Sequence, residues 1–419
     1  MAFGDTSQDQ ALRDAWNAFC DELKRSADDL FRDPIRVTSP TERAEAFRYL
    51  TQAVAQGFLW HVENETMPEH PWLLGLFNPV KKQAGDKSMS RDYGAYVDGR
   101  RDYRIVGQRG GAPWIALTAL RRPDPSDPLS SAATWNEPWA LVLDSEPLLG
   151  PDIVVEPDGN FEIVCSRQRP PNARNWLRIT DETNHIRVRQ LFDDWNREEP
   201  MSIHIERIGG EAGEAPPPLL APEQMIFALR KAANFVRKST SAWGPPPLEG
   251  RIENDMRNMP VPPSRIGGID ANPGGVMAVT WWALAPDEAL VLEFTPVPSL
   301  MWSIELENVW WVTADYRWRL VEVTGAQAAL EGDGRCRVVV AQNDPGVPNW
   351  LDTAGFPEGW VRYRGMLSQD MRGPEWTSRV VKLDALMESL PPGSRKIGPA
   401  ERKAQIAERV AGVRKRYRD

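Results

Sequence analysis

Residues 159–208 read GNFEIVCSRQRPPNARNWLRITDETNHIRVRQLFDDWNREEPMSIHIERI. A shortened version returns at residues 334–367 as GRCRVVVAQNDPGVPNWLDTAGFPEGWVRYRGML. Both stretches contain a β-rich run, a turn with Pro and Asn, the triplet Asn-Trp-Leu and then Arg-x-Arg. The tryptophan of the triplet precedes the first of these arginines by 11 positions in the first stretch and by 12 in the second. The shared order and spacing predict an internal duplication.

Strand-like patterns precede each copy. In residues 289–307, ALVLEFTPVPSLMWSIELE, alternate apolar residues line one face of two strands that are joined by a proline-containing turn. Ser303, Glu305 and Glu307 fall on the opposite face, which the alternation places toward water. The first half shows the same arrangement at residues 101–120, with a Gly-Gly turn. Each half is therefore predicted as a hairpin, an intervening segment and the Asn-Trp-Leu strand pair.

The predicted fold class is mainly β with helices (α+β). It has two related antiparallel β-sandwich (jelly-roll-like) domains from an internal duplication, plus N-terminal, connecting and C-terminal helices. Apolar residues at three- and four-residue steps predict the helices. The predicted domains are an N-terminal helical layer (1–75), a first β-sandwich repeat (76–210), a Pro-rich linker with one helix (211–250), a second β-sandwich repeat (251–385) and a tail with a basic helix (386–419).

The predicted C-terminal helix has one apolar face. Ile406, Val410, Val413 and Tyr417 share that face, and the other faces are strongly basic. We expect the basic faces to be solvated, with cations favourably placed near the helix C-terminus. The alternative is contact of these faces with an acidic partner or subunit.

The charge balance limits the classes of partner. The chain has 50 Lys and Arg against 59 Asp and Glu, a net charge of −9, which argues against nucleic acid as main partner. No apolar run is long enough for a transmembrane helix, and the N-terminal residues lack the pattern of a secretory signal. We therefore expect a cytoplasmic protein with no membrane insertion. Its expected partners are a small-molecule ligand and further copies of itself in a homo-oligomer.

Cysteine and histidine patterns indicate no metal site and no cofactor. Cys20, Cys165 and Cys336 are far apart and odd in number, so we expect buried thiols rather than disulfides or a zinc site. The four histidines show no metal-binding spacing. Phosphate-binding, dinucleotide-binding and serine-hydrolase motifs are not found in the sequence.

Several runs resemble a known family. The runs FEIVCSRQRPPNARNWL, IRVRQLFDDW and PAERKAQIAERVAGVRKRY are similar to the bacterial Domain of Unknown Function 1214 family, and the resemblance extends from about residue 70 to the tail. It implies a β-sandwich of jelly-roll type and no particular reaction. The family pattern often has His where this chain has Phe356, so no role for an imidazole there is implied for this protein.

The two Arg-x-Arg strands are the first candidate site. Side chains two residues apart on a strand point the same way, so Arg187 with Arg189, and Arg362 with Arg364, can each grip a carboxylate, sulfate or phosphate. The alternative is that these arginines pair with carboxylates of a facing strand or the other domain.

Nearby acids are the second candidate. Asp194, Asp352 and Glu358 follow or lie near the arginine strands, and two carboxylates facing one pocket can act as general acid and base. The alternative is that they form structural ion pairs and turns.

Tryptophans are the third candidate. The chain has 18 of them, a density that can line a cleft for a cyclic ligand. Trp176, Trp302 and Trp350 are predicted to bind ligand together with Asn175 and Asn349. The alternative is packing within the core or between the domains.

These features favour recognition of a small, largely apolar or cyclic, anionic ligand in a Trp-lined cleft. One alternative is a cofactor-independent carboxylate-based hydrolase, isomerase or lyase, and another is a structural or assembly protein. Whether the protein is an enzyme is left open by the sequence.

Overall fold

The computed structural model describes most of the chain, namely residues 7–32, 39–64, 68–82, 85–121, 142–209, 219–241, 253–265 and 273–417. The sequence predicts that Gly244 and Pro245 end the helix of the linker. These residues, and most of the proline-rich flanks of the linker, lie outside the described residues.

Five α-helices are found in the described ranges: α1 (Ser7–Phe31), α2 (Pro40–Phe58), α3 (Pro222–Ser241), α4 (Leu386–Ser389) and α5 (Pro399–Arg416). A π-helical turn, Leu59–Asn64, extends α2. Ser39 caps the start of α2, because its hydroxyl accepts the Glu42 N–H at 3.2 Å and a proline occupies the first helical position.

The strands of the first half are β1 (Leu74–Gly75), β2 (Ser90–Tyr96), β3 (Tyr103–Gln108), β4 (Trp114–Arg121), β5 (Val142–Leu143), β6 (Leu148–Leu149), β7 (Asn160–Ser166), β8 (Asn175–Arg178), β9 (His185–Leu191) and β10 (Ser202–Arg207). The strands of the second half are β11 (Ser264–Arg265), β12 (Gly275–Ala283), β13 (Glu288–Phe294), β14 (Met301–Asn308), β15 (Glu322–Thr324), β16 (Cys336–Ala341), β17 (Trp350–Asp352), β18 (Glu358–Met366) and β19 (Trp376–Lys382).

The strands form two similar pairs of sheets. In the first half, β1-β2-β9-β4-β5, with β6 beside β4, makes one sheet, and β10-β3-β7-β8 makes the other. In the second half the sheets are β11-β12-β18-β14-β15 and β17-β16-β13-β19. Strand order therefore corresponds between the halves, and the predicted mainly β, sandwich-like α+β class is confirmed.

The predicted hairpins are wrong, although their strands are present. β3 and β4 lie in different sheets, as do β13 and β14. Gly110 and Gly111 carry the chain from one layer to the next: the Gly111 N–H donates to Glu199 O at 2.8 Å, and Gly110 adopts a φ of +67°. A turn motif in the sequence does not show which distant strand each of the two flanking strands will pair with.

Each sheet pair encloses an apolar core. Ile105, Ile163 and Val188 belong to the first core, and Leu292 and Val338 belong to the second. Cys165 and Cys336 are buried in these cores, so they are buried thiols as predicted, and burial raises the pKa of each to about 12. Cys20 on α1 is only half-buried.

The outer face of the β2-β9-β4 sheet meets the outer face of the β12-β18-β14 sheet, and we call this contact the central layer. Trp114 and Leu191 from the first sheet share a buried apolar cluster there with Met301 and Met366 from the second. Helices α2 and α3 cover the layer on one side, where the Trp60 ring stacks on His185 at 5.2 Å.

The face of β14 that the alternation placed toward water is buried in the central layer. Ser303, Glu305 and Glu307 are at most 1 % exposed, so that prediction is wrong. The first sandwich covers this face. A polar face on a strand indicates solvent only when no other domain packs against it.

Candidate functional site

All four predicted arginines lie in the central layer. Arg187 and Arg189 lie on β9, Arg362 and Arg364 lie on β18, and these strands are central in their sheets. Exposure of the four residues lies between 1 % and 7 %. The repeated Arg-x-Arg motif therefore places both arginine pairs in one buried layer.

The first pair binds a carboxylate of the neighbouring strand. Asp92 Oδ2 on β2 accepts from Arg187 Nη2 at 2.8 Å and from Arg189 Nε at 2.9 Å. Lys87 Nζ lies 4.0 Å from the same oxygen. Burial would raise the pKa of Asp92, but the charges of Arg189, Lys87 and Arg187 outweigh it and hold the pKa well below its usual range. Asp92 is therefore ionised at every physiological pH.

Arg362 of the second pair also has carboxylate partners. Its Nη2 donates to Glu305 Oε2 at 2.5 Å and closely contacts Glu307. Burial raises the pKa of Glu307 well above its ordinary value despite the Arg362 charge, and the neighbouring carboxylates of Glu305 and Asp86 add to this effect. We therefore assign one negative charge, on Glu305, to the two carboxylates that contact Arg362.

Arg364 differs from the other three arginines. Its Nη1 has only a 4.0 Å contact with Met89 Sδ, and its Nε has no hydrogen-bond partner among the described residues. Burial, and then the charge of Arg362, lower the pKa of Arg364 to about 9. It is still a cation at neutral pH.

We call Lys87, Arg187, Arg189 and Arg364 the basic cluster. Burial lowers the pKa of Lys87 well below its ordinary value, and Arg189, Arg364 and Arg187 lower it further through repulsion. Such mutual perturbation of buried cations is more common at functional sites than elsewhere.

The three predicted catalytic acids each have separate partners. Asp194 accepts from the Asn196 N–H at 3.0 Å, and Asp352 pairs with Arg319 at 2.8 Å. Glu358 accepts from Trp281 Nε1 at 3.0 Å, and burial raises its pKa. These contacts resemble the structural alternative, in which the acids form ion pairs and turns.

The predicted asparagines hold the backbone of their own sandwiches. Asn175 Nδ2 donates to Val154 O at 2.8 Å, and also to Glu162 O. Asn349 Nδ2 donates in the same way to Ala329 O at 2.7 Å, and also to Arg337 O. The repeated Asn therefore ties a loop to the parallel strand pair in each half.

Trp302 lies in the core of the second sandwich, Trp350 packs outside that core beside Leu386 of α4, and Trp176 is half-buried. Trp176 Nε1 donates to Ser166 O at 3.1 Å, and Trp350 Nε1 donates to Ala341 O at 2.9 Å, so the two rings have matching anchors. Trp302 packs edge-on against Phe294, with ring centroids 5.3 Å apart. Two other rings border the charges of the central layer, namely Trp114 and Trp311.

Sequence reasoning missed the arginines of the C-terminal helix. Arg402, Arg409 and Arg416 recur every seven residues, so they share one face of α5, and all three are at most 6 % exposed. Arg409 and Arg416 stack on the Trp195 ring, at 3.8 Å and 4.3 Å from its centroid, and Arg402 lies 4.9 Å from that of Trp350. This basic face is buried rather than solvated, because aromatic rings accept the flat guanidinium groups. The seven-residue spacing of these arginines is the feature of the sequence from which their shared helix face could have been predicted.

Asp92, Glu305 and Glu322 were also missed. Each lies in a strand pattern, where the alternation indicates only an exposed face. In the part of the chain that the structure describes, no group of three or more His, Cys, Asp or Glu side chains could hold a metal ion. No helix among the described residues is both long and apolar enough to cross a membrane.

The fold and site define a protein of two sandwich-like sheet pairs joined through a buried layer of charges. The chain is similar to a putative uncharacterized protein from Burkholderia cenocepacia, with 29 % identity and a TM-score of 0.78 over 90 % of this chain and 99 % of that one. The VPA0106 protein from Vibrio parahaemolyticus is 11 % identical, with a TM-score of 0.42 over 80 % and 98 % of the respective chains. No protein-family model and no curated protein matches the chain, so the resemblance to Domain of Unknown Function 1214 stays a prediction.

Proposed function

We propose that this protein binds a small molecule with an anionic group, and that the basic cluster of the central layer holds the anion. The observation that carries the proposal is Arg364, a guanidinium 2 % exposed with no carboxylate partner among the described residues. A buried charge without a carboxylate in contact costs several kcal/mol, and the more distant charges of Glu305 and Glu307 offset only part of that cost. An anionic ligand would remove that cost and gain charge-assisted hydrogen bonds.

Repulsion within the cluster supports the same proposal. Lys87 lies close enough to Arg189 and Arg364 for their charges to lower its pKa, while its ion pair with Asp92 spans 4.0 Å. A bound carboxylate, sulfate or phosphate would add a negative charge that attracts these cations. That attraction would offset the repulsion and favour the ionised forms of the lysine and the arginines.

Apolar side chains beside Arg364 favour a ligand with an apolar body. Met89, which contacts the Arg364 guanidinium, belongs to a buried cluster of flexible and aromatic side chains. Its members are Met89, Trp114, Ala116, Leu191, Met301 and Met366. Methionine adapts to ligands of varied shape, and Trp114 Nε1 has no hydrogen-bond partner in the described structure. An aromatic or alicyclic acid therefore fits the proposal better than an inorganic anion.

The test is a binding titration with benzoate, benzyl alcohol and inorganic phosphate, followed by calorimetry. We expect benzoate to bind more tightly than benzyl alcohol, which has a similar ring and no charge. Arg364→Gln should weaken benzoate binding by about 10- to 100-fold, which corresponds to the loss of one charge-assisted contact. Arg167→Gln is the matched control, since Arg167 is half exposed and pairs with Asp181 at the surface.

Unfolding measurements on the same variants separate binding from a structural role. If Arg364 serves a ligand, Arg364→Gln retains or gains stability while it loses affinity for benzoate, because it removes a buried charge that contacts no carboxylate. Equal benzoate affinity in the wild type and Arg364→Gln, or no benzoate binding to the wild type, would refute the proposal.

We also propose that the two sheet pairs arose by duplication. Matching strand order and matching anchors for Trp176 and Trp350 support it. Cytoplasmic location and assembly into a homo-oligomer stay predictions of the sequence.

A further inference from the structure

Two buried lysines on the segment before β2 differ in their contacts. Lys82 Nζ donates to Thr313 O at 2.6 Å, to Thr313 Oγ1 at 2.9 Å and to Ala314 O at 2.8 Å. Lys87 Nζ has no hydrogen bond to any of the described residues, and its ion pair with Asp92 Oδ2 spans 4.0 Å. An ammonium group has three donors, so Lys82 is fully bonded and serves the fold. The amine of Lys87 is not used in this way.

The backbone on either side of Lys87 lies against the arginines of β18. Arg362 Nη2 donates to Asp86 O, and Arg364 Nη1 lies 4.0 Å from Met89 Sδ. Lys87 therefore falls between the two residues that contact this arginine pair. It is 7 % exposed.

Contacts with both sandwiches fix the position of the Lys87 amine. The neighbouring Ser88 N–H donates to Glu305 Oε1 at 2.6 Å, which holds the backbone to the second sandwich. In the first sandwich, Asp92 Oδ2 lies 4.0 Å from Lys87 Nζ and 2.9 Å from Arg189 Nε. The amine and a guanidinium group are thus held beside one oxygen atom.

We propose that Lys87 is a nucleophile that forms an imine with a 2-oxo acid, whose carboxylate is held by Arg364 within the basic cluster. This inference rests on the proposed function and names the class of its ligand. In a 2-oxo acid the carbonyl carbon is bonded directly to the carboxylate carbon. A carboxylate held beside Lys87 therefore brings the carbonyl group close to the amine, which favours their reaction.

The reaction is a condensation. The lone pair of the unprotonated amine attacks the carbonyl carbon, and a C–N bond forms. The carbonyl oxygen takes both amine protons and leaves as water, so a C=N bond replaces the C=O bond. The step requires no oxidant or reductant.

The surroundings of Lys87 favour the unprotonated amine that this reaction needs. Burial lowers the pKa of Lys87 well below its ordinary value, and repulsion from Arg189, Arg364 and Arg187 lowers it further, while Asp92 opposes this effect. A ligand carboxylate would also oppose it, but burial is the largest cause and stays in place. Desolvated lysines beside other cations are activated as nucleophiles in this way.

Reductive trapping near neutral pH tests the proposal. The full chain is incubated with phenylpyruvate and cyanoborohydride, which delivers hydride to an imine carbon and leaves a stable secondary amine. Peptide mass spectrometry then locates the modified lysine. We expect the adduct on Lys87. Lys82, which is fully hydrogen-bonded, should stay unmodified, as should Lys382, which is 55 % exposed and has a raised pKa because it bonds to Asp287.

Two further probes test the role of the carboxylate. Phenylacetone has the ring and the carbonyl group of phenylpyruvate, with a methyl group in place of the carboxylate. It should label Lys87 at least about tenfold more slowly, because a charge-assisted contact is lost. Excess benzoate should suppress labelling by phenylpyruvate, because it would occupy the same arginine.

Lys87→Gln should give no adduct, and Lys382→Gln, at the surface, is the matched control. The mapping on the wild type needs no variant, so the test stands even if Lys87→Gln does not fold. The proposal is overturned if Lys87 of the wild type carries no adduct, if exposed lysines are labelled equally, or if phenylacetone labels Lys87 as fast as phenylpyruvate does. Benzoate binding without an adduct would refute the imine alone, whereas failure of benzoate to bind would refute the anion site on which the imine rests.

Discussion

Arg189 and Arg364 occupy equivalent positions on the central strands β9 and β18, but only Arg189 has a carboxylate partner across the strand. Arg189 is paired in register with Asp92, and its Nε donates to that carboxylate at 2.9 Å. Arg364 is paired in register with Met277, which carries no charge. The asymmetry leaves Arg364 without a carboxylate in contact, unlike Arg189, and it is the basis of the proposed anion site.

Replacing Met277 with Asp should supply the missing carboxylate. Met277→Asp places an acid beside Arg364 in the register that Asp92 has beside Arg189, so we expect benzoate binding to weaken by about tenfold or more. Calorimetric titration of the variant measures this effect. Met277→Leu, which changes shape slightly and adds no charge, is the control. Unchanged benzoate affinity in Met277→Asp would argue against Arg364 as the anion contact.

Asp92→Asn should strongly destabilise the fold. Asp92 is fully buried and accepts from both Arg187 and Arg189, so removal of its charge leaves buried cations uncompensated. We expect a loss of about 3–5 kcal/mol in the free energy of unfolding, measured by urea denaturation. Asp181→Asn removes a surface ion pair and should cost at most about 1 kcal/mol. Similar losses for the two variants would show that the central ion pairs contribute little.

The stability of the wild type relative to Glu322→Gln should fall as pH rises. The pKa of Glu322 is raised from 4.5 to about 7, so the folded chain keeps a proton that the unfolded chain has lost in that window. The free energy of unfolding of the wild type, relative to that of Glu322→Gln, then decreases by about 3 kcal/mol between pH 4.5 and 7. Below and above this window the difference does not change with pH. Groups that face Glu322 are Ser88, Glu305, Arg409 and Arg416.

Thermal unfolding of both proteins across this pH window measures the difference. Groups that do not interact with Glu322 titrate equally in both proteins, so they cancel in the comparison. A difference that does not vary with pH would mean that Glu322 keeps its ordinary pKa in the fold.

Trp195→Ala should loosen the C-terminal helix. Trp195 is 1 % exposed, and its ring lies beneath Arg409 and Arg416, so truncation removes both apolar burial and two cation–π contacts. A loss of about 3–5 kcal/mol is expected on chemical denaturation, with earlier amide exchange in α5. Trp318→Ala serves as the control, because Trp318 is 54 % exposed. Equal protection of the α5 amides from exchange in Trp195→Ala and Trp318→Ala would contradict a stabilising role for the ring of Trp195 beneath the two arginines.

Asn175→Ala and Asn349→Ala should have similar costs. Each asparagine donates to two backbone carbonyls in its own half, and each truncation leaves those acceptors without the side-chain donor. We expect about 1–3 kcal/mol from each, and additive effects in the double variant, because the two sites lie in different sandwiches. Asn343→Ala is the control, since Asn343 is exposed and its bond to Pro286 O is 3.5 Å long. A large cost for only one of the two would show that the repeated motifs are not structurally equivalent.

Local patterns in the sequence were sufficient to predict the class of fold and the equivalence of the halves. Period-two alternation marks a strand wherever one face is buried, so β13, β14 and the arginine strands can be located from the amino-acid order alone. The repeated Asn-Trp-Leu is also a local feature, and its role in holding each parallel strand pair is repeated with it. Alternation is a property of neighbouring residues and needs no knowledge of distant partners.

Strand pairing and the meeting of charges, in contrast, depend on tertiary packing. Glu305 on a polar strand face was predicted to be solvated, and it is buried because the first sandwich covers it. The pairing of Arg189 with Asp92, the contact of Arg364 with Met89 and the charge interaction of Glu322 with Arg409 all join residues far apart in the chain. Contacts of this kind depend on how whole sheets and helices pack, and local periodicity contains no information about that packing.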